Sequence, residues 1–152
     1  MPKTKRPLPC HSKTGGDTVM TNKKLDAVGL FVSDIKTMVE FYRDVLGFAM
    51  EWDGGPFAQC TTSGSRLMMY PRKDFEELIQ TGLGYPKGLN GTMELAVDLP
   101  RYEDVDIEYK RLVEAGAKGV YPPKTEMWGM RSSYIADPEG NLIEIGSWNK
   151  QN

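Results

Sequence analysis

Asp137-Pro138-Glu139-Gly140-Asn141-Leu142-Ile143-Glu144-Ile145 is the stretch whose reading decides the fold. Its first five residues are turn chemistry. Pro138 pre-sets φ at a corner, and Gly140 and Asn141 accept the positive φ of a tight turn. Residues 130–136 ahead of it and 142–146 behind it read as strands, so the unit is predicted to be a β-hairpin. In the second strand Leu142, Glu144 and Gly146 share one face, and Ile143 and Ile145 share the other. Glu144 is therefore an ionisable group on an otherwise apolar strand. Such a carboxylate faces either solvent or an internal cavity, and the rest of the chain has to decide which.

Upstream of the hairpin, residues 93–98 read as a strand with Glu94 and Ala96 on one face. A helix follows over 102–115, with Val105, Tyr109, Leu112 and Val113 on its buried stripe and Gly116 at its end. Residues 120–127 contain a short strand broken by Pro122-Pro123. The same order occurs earlier. Residues 25–32 form a strand whose Val28, Leu30 and Val32 face one way. Its other face, Ala27, Gly29 and Phe31, is mostly small and leaves room for something else. Ser33-Asp34 offers an N-cap to a helix carrying Ile35, Met38, Val39, Tyr42, Val45 and Leu46, which Gly47 ends. Three short strands are predicted at 48–52, 57–61 and 67–70. Between the halves, residues 71–91 allow a helical turn near 75–79, after which Gly82, Gly84, Pro86, Gly88 and Gly91 forbid regular structure. Val39-Glu40-Phe41-Tyr42-Arg43 is also echoed by Ile107-Glu108-Tyr109-Lys110-Arg111. The chain is thus two β-α-β-β-β modules of roughly 60 residues, each too small to bury its own sheet face.

The composition bounds the function. At 152 residues, 39% apolar and 26% charged, this is one folded domain over 23–150 preceded by a flexible basic arm over 1–22. Module one spans 24–70, the connector 71–91 and module two 92–148. A formal net charge of −2 leaves no footprint for nucleic acid or an anionic membrane. No stretch is long and apolar enough for a bilayer span, and no secretory signal is predicted. Cys10 and Cys60 do not suggest a disulfide and fit a reducing cytoplasm. The single histidine, His11, excludes a site built on several histidines. Nothing resembles a Ser-His-Asp or Cys-His arrangement, a P-loop or a dinucleotide-binding glycine motif.

The tandem modules, with Phe41-Tyr42-Arg43-Asp44-Val45-Leu46-Gly47-Phe48 in the first and Asp137 to Glu144 in the second, resemble the vicinal oxygen chelate superfamily of glyoxalases, bleomycin-resistance proteins and extradiol dioxygenases. The resemblance covers residues 24–149. Trp128-Gly129-Met130-Arg131 looks most like the bleomycin-resistance branch. It implies an α+β fold in which tandem βαβββ modules form a U-shaped mixed sheet around a cavity, with helices outside. It also implies a homodimer. In metal-using members four strand positions point into the cavity. The resemblance places Ala27 and Met69, then Glu94 and Glu144, at those positions.

Half of that constellation is acidic and half is apolar. Zinc, nickel, manganese or iron wants three or four N or O ligands. Ala27 has no donor, and a thioether suits soft metals. The reading is therefore a protein with no cofactor, or with a weakly bound divalent metal on Glu94 and Glu144. These two are also the candidate catalytic residues if the protein is an enzyme, a point the sequence leaves open. Strand parity adds Phe57 and Gln59 in module one and Tyr134 in module two as candidate ligand contacts. Met69, Trp128 and Arg131 complete that set. Three functions follow: a metal-independent protein binding a small, partly aromatic or cationic molecule; a metal-dependent lyase, isomerase or dioxygenase using Glu94 and Glu144; and a dimerising domain whose cavity is filled.

Overall fold

A computed structural model describes residues 23–150. The predicted arm over 1–22 lies outside the described residues. Module one runs β1 (Ala27–Val32), α1 (Ile35–Glu40), β2 (Glu51–Trp52), β3 (Ala58–Thr61) and β4 (Arg66–Pro71). Helix α2 (Arg72–Ile79) occupies the start of the connector. Module two runs β5 (Asn90–Asp98), α3 (Tyr102–Glu114), β6 (Lys118–Thr125), β7 (Arg131–Ala136) and β8 (Asn141–Ser147). The eight strands form two four-stranded sheets, ordered β1-β4-β3-β2 and β5-β8-β7-β6. In each sheet the first and last strands of a module pair in parallel and the rest pair antiparallel. The start of β1 faces the end of β5 across one hollow, and the end of β1 faces the start of β5 across another.

Alternation along the strands builds the core. Leu30 and Val32 of β1, Leu67 and Met69 of β4, and Ala58 and Cys60 of β3 are buried against Met38, Val39 and Tyr42. Ile135, Ile143 and Ile145 are buried against Val105 and Leu112 of α3. The two sets form a single cluster, and each large side chain buried there contributes about 1.5–3 kcal/mol. The Arg111 side chain of α3 donates to the Val45 carbonyl at 2.9 Å, so both helices lie on the same side. The opposite, open faces carry Ala27, Gly29, Met68 and Gln59 in module one and Glu94, Ala96, Glu144 and Tyr134 in module two.

Several elements differ from expectation in informative ways. The helix of module one is α-helical only to Glu40 and continues as a π-helical turn over Phe41–Val45. The strand expected at 48–52 pairs only at Glu51–Trp52. β6 tolerates Pro122-Pro123 because it is an edge strand, and its pairing with β7 slips on either side of Tyr121. The connector's turn is a full two-turn helix.

The hairpin quoted first anchors the modules to one another. Asp137 is buried, and its carboxylate accepts four hydrogen bonds: Oδ1 from the Glu139 and Asn141 amides (both 2.9 Å), Oδ2 from Asn141 Nδ2 (2.8 Å) and Tyr42 Oη (3.0 Å). Burial, with Asp137 beside it, pushes the Tyr42 phenol well above its ordinary value. Glu139 Oε1 accepts from the Ser33 and Asp34 amides at 2.6 and 3.0 Å, which caps the entry to α1, and Arg72 sits 2.8 Å from its other oxygen. Gly140 has φ +88°, and a Cβ there would stand 1.9 Å from the Gly88 carbonyl oxygen. Only glycine allows the connector to approach so closely.

Candidate functional site

Glu144 lies on the open face of β8, directly opposite Ala96 of β5 and Tyr134 of β7. Two side chains aim it. Ser132 Oγ donates to Glu144 Oε1 at 2.6 Å, and Tyr134 Oη donates to the same oxygen at 3.2 Å. Oε2 carries neither of these bonds. Glu94 sits on the same face, opposite Leu142, one pleat along from Glu144. Strand spacing and rise put the two α-carbons about 8 Å apart. Tyr134 lies beside both carboxylates. Burial raises its phenol well above the ordinary value, helped by hydrogen bonding to Glu94 and by the charge of Glu144. Tyr134 is therefore a proton-bearing donor held between two acids.

Glu94 also lines a hollow of about 320 Å³ in the seam between the sheets. Val28, Leu67, Leu95 and Val97 form its apolar walls, and Arg66 is the opposing charge. Arg66 is committed elsewhere. It pairs with Asp26 and donates to Gln59 Oε1 at 2.9 Å, while Gln59 Nε2 donates to Glu51 at 3.1 Å. Gln59 and Phe57 line a separate hollow with Trp52 and Pro56, and Phe57 packs on Tyr70 with ring centroids 5.1 Å apart. Trp128, Ser132 and Tyr134 line a third, of about 310 Å³, with Tyr121 and Glu126.

Two expected contacts are corrected. Met69 is fully buried on the helix-bearing face, opposite Leu30 and Ala58. The open-face residue is Met68, opposite Gly29 and Gln59. A strand has period two, so a displacement of one residue exchanges the faces. Comparing modules fixes the register: Glu144 stands opposite Ala96 as Met68 stands opposite Gly29. Arg131 also points away from the open face. Its guanidinium pairs with Asp106 of α3 through two contacts of 2.5 Å and reaches Thr125 Oγ1 at 3.0 Å. That hydrogen-bonded pairing holds the Asp106 carboxyl below its usual range.

The four open-face positions thus offer two carboxylates, the methyl of Ala27 and the thioether of Met68. This donor set does not fit a tightly held zinc, nickel, manganese or iron ion, which wants three or four N or O ligands. Among the described residues, no three His, Cys, Asp or Glu side chains converge as a metal-holding group.

The sequence reading missed Tyr121 and Glu126. Tyr121 stands opposite Tyr134, and its hydroxyl donates to Glu126 Oε1 at 2.7 Å. The slipped pairing around Pro122-Pro123 hides both from a parity count. The signal available was compositional: two tyrosines, a tryptophan and an acid within the fourteen residues from Tyr121 to Tyr134.

The model of the Glyoxalase/Bleomycin resistance protein/Dioxygenase superfamily matches residues 24–145. The chain belongs to that superfamily. Within it, the chain is 32% identical over 126 residues to the uncharacterized protein YraH of Bacillus subtilis (strain 168), covering 80% of this chain and 96% of that one. A glyoxalase/bleomycin resistance protein/dioxygenase from Nocardioides shares the fold with a TM-score of 0.73 at 26% identity, over 86% of each chain. A superfamily enzyme from Burkholderia phytofirmans PsJN gives 0.73 at 25% identity, over 84% of this chain and all of that one. The two solved structures share the α+β fold described above.

Proposed function

We propose that this superfamily member binds a small organic molecule against the acidic open face of its second module, without a tightly held catalytic metal. The observation that carries the reading is the asymmetry of the open face. Glu144 is oriented by Ser132 and Tyr134 beside Glu94, while the facing module offers Ala27 and Met68. Oriented polar groups beside an apolar hollow are what recognition of a small molecule requires. Of the two carboxylates, Glu94 lines the seam hollow of about 320 Å³, while Glu144 lies outside its lining.

Isothermal titration against a panel of antibiotics and amines tests the proposal. The expected result is a saturable ligand whose affinity falls at least about tenfold in Glu144→Gln, as for loss of a charged hydrogen bond. The reading fails if no ligand's affinity depends on Glu94 or Glu144. The metal-dependent lyase, isomerase or dioxygenase is the competing reading. It would prevail if protein purified without chelator carried a stoichiometric transition metal that Glu144→Ala abolished. A cytoplasmic homodimer completes the proposal, and light scattering on the full chain tests the assembly.

A further inference from the structure

The hollow beside the β6–β7 turn has the makings of a cation site. Tyr121, Trp128 and Tyr134 supply three aromatic side chains, and Ser132 and Glu126 supply the polar wall, around about 310 Å³. Tyr121 and Tyr134 stand with ring centroids 6.3 Å apart and planes inclined at 59°. Trp128 is 61% exposed and so presents most of its indole to an incoming molecule.

Glu126 gives the box its charge. Its side chain is only 12% exposed, yet its compensation is thin. Oε1 accepts one hydrogen bond, from Tyr121, and Oε2 lies 3.8 Å from the Nζ of Lys124, whose own side chain is 64% exposed. Among the described residues Oε2 accepts no hydrogen bond, so it is available to pair with an incoming cation. Behind the opposite wall, Glu144 is hydrogen-bonded to the same Ser132 and Tyr134 that line the box. Among the described residues Lys124 is the one basic side chain paired with Glu126, and Arg131 is turned to Asp106 on the far face. Aromatic faces and a buried acid select a weakly hydrated cation over a strongly hydrated one, because a methylated ammonium is stripped of water at little cost. The volume holds a trimethylammonium head with a short tail.

We propose that the Tyr121–Trp128–Tyr134 box, with Glu126 on its wall, binds the quaternary or trimethylated ammonium group of a small molecule. This rests on the reading that the open face of module two is a binding surface, and it names the ligand class. It does not depend on the seam hollow, because Glu94 lines that hollow and not the box.

The test is titration of the full chain with choline and with 3,3-dimethylbutanol, its uncharged isostere, followed by the indole N–H resonances of Trp52, Trp128 and Trp148. Choline is expected to shift the Trp128 resonance saturably and to bind at least about tenfold tighter than the isostere, in line with a partly desolvated cation–π contact. Trp128→Ala should abolish the preference, since this exposed side chain can be removed without unfolding the core. Glu126→Gln should weaken choline about tenfold while leaving the isostere unchanged. Equal binding of the two probes, no binding of choline, or an undiminished preference in Trp128→Ala would each overturn the proposal. Choline binding retained in Glu94→Gln alongside a panel with no Glu144-dependent ligand would uphold the box and remove the wider reading of the face. Loss of the choline preference with a Glu144-dependent neutral ligand would do the reverse.

Discussion

Replacing Tyr42 with phenylalanine removes one oxygen atom and leaves the ring in place. That oxygen donates at 3.0 Å to Asp137, a carboxylate buried at the start of the final hairpin. The ring itself is fully buried and packs edge-on to Phe41. No cavity opens, so the cost is the hydrogen bond and the under-solvated acceptor left behind. A hydrogen bond to a charged group is worth about 1.5–3 kcal/mol. Asp137 keeps its other three donors, which come from its own turn. The loss should therefore fall near the lower half of that range. For a chain of this size, 1.5–3 kcal/mol corresponds to a fall in Tm of roughly 3–10 °C. Urea unfolding followed by tryptophan fluorescence measures it, with Tyr70→Phe, half-exposed on the open face, as the control expected to change stability by under about 0.5 kcal/mol. The same substitution in an Asp137→Ala background should cost little, because the acceptor has gone. A Tyr42→Phe variant as stable as the parent, or one equally destabilised in both backgrounds, would refute the view that this contact locks the π-helical turn after α1 of one module to the hairpin of the other.

Met69→Ala should cost about 2–5 kcal/mol, as for any fully buried methionine, whereas Met68→Ala on the open face should cost under about 1 kcal/mol; reversal of that order in urea unfolding would return Met69 to the cavity. Arg131→Met should lower stability at neutral pH, and the gap from the parent should close on acidification. The Asp106 carboxyl is held below its ordinary 3.8 by Arg131, so the contribution is present above 3.8 and is lost as pH falls through the lower folded value. Urea midpoints between pH 2 and pH 6 check this, and a gap that widened towards pH 2 would contradict the pairing. At the alkaline end, Tyr42 and Tyr134 have folded pKa values raised above the ordinary 10.0, so stability should decline as pH rises beyond 10. Glu144→Gln should bring one tyrosine into an earlier ionisation by ultraviolet titration, and an unchanged curve would disconnect Tyr134 from the acid pair.

The amino-acid sequence by itself determined the duplicated β-α-β-β-β order, the turn at Asp137–Asn141 and the face on which Glu144 lies. These depend on local periodicity and turn stereochemistry, which neighbouring residues write directly into the chain. Tertiary structure decided what crosses between elements. Tyr42 finds Asp137 ninety-five positions away, Glu139 caps a helix in the other module, and Arg131 turns to Asp106 instead of the open face. Register decided Met68 over Met69, because a strand's two faces differ by a single residue and only pairing with β1 and β3 fixes the count. The aromatic box likewise exists only because β6 slips against β7 around its prolines, bringing Tyr121 and Glu126 beside Tyr134. Contacts of that kind are set by how pleated surfaces meet in space, and the order of residues along either strand does not encode them alone.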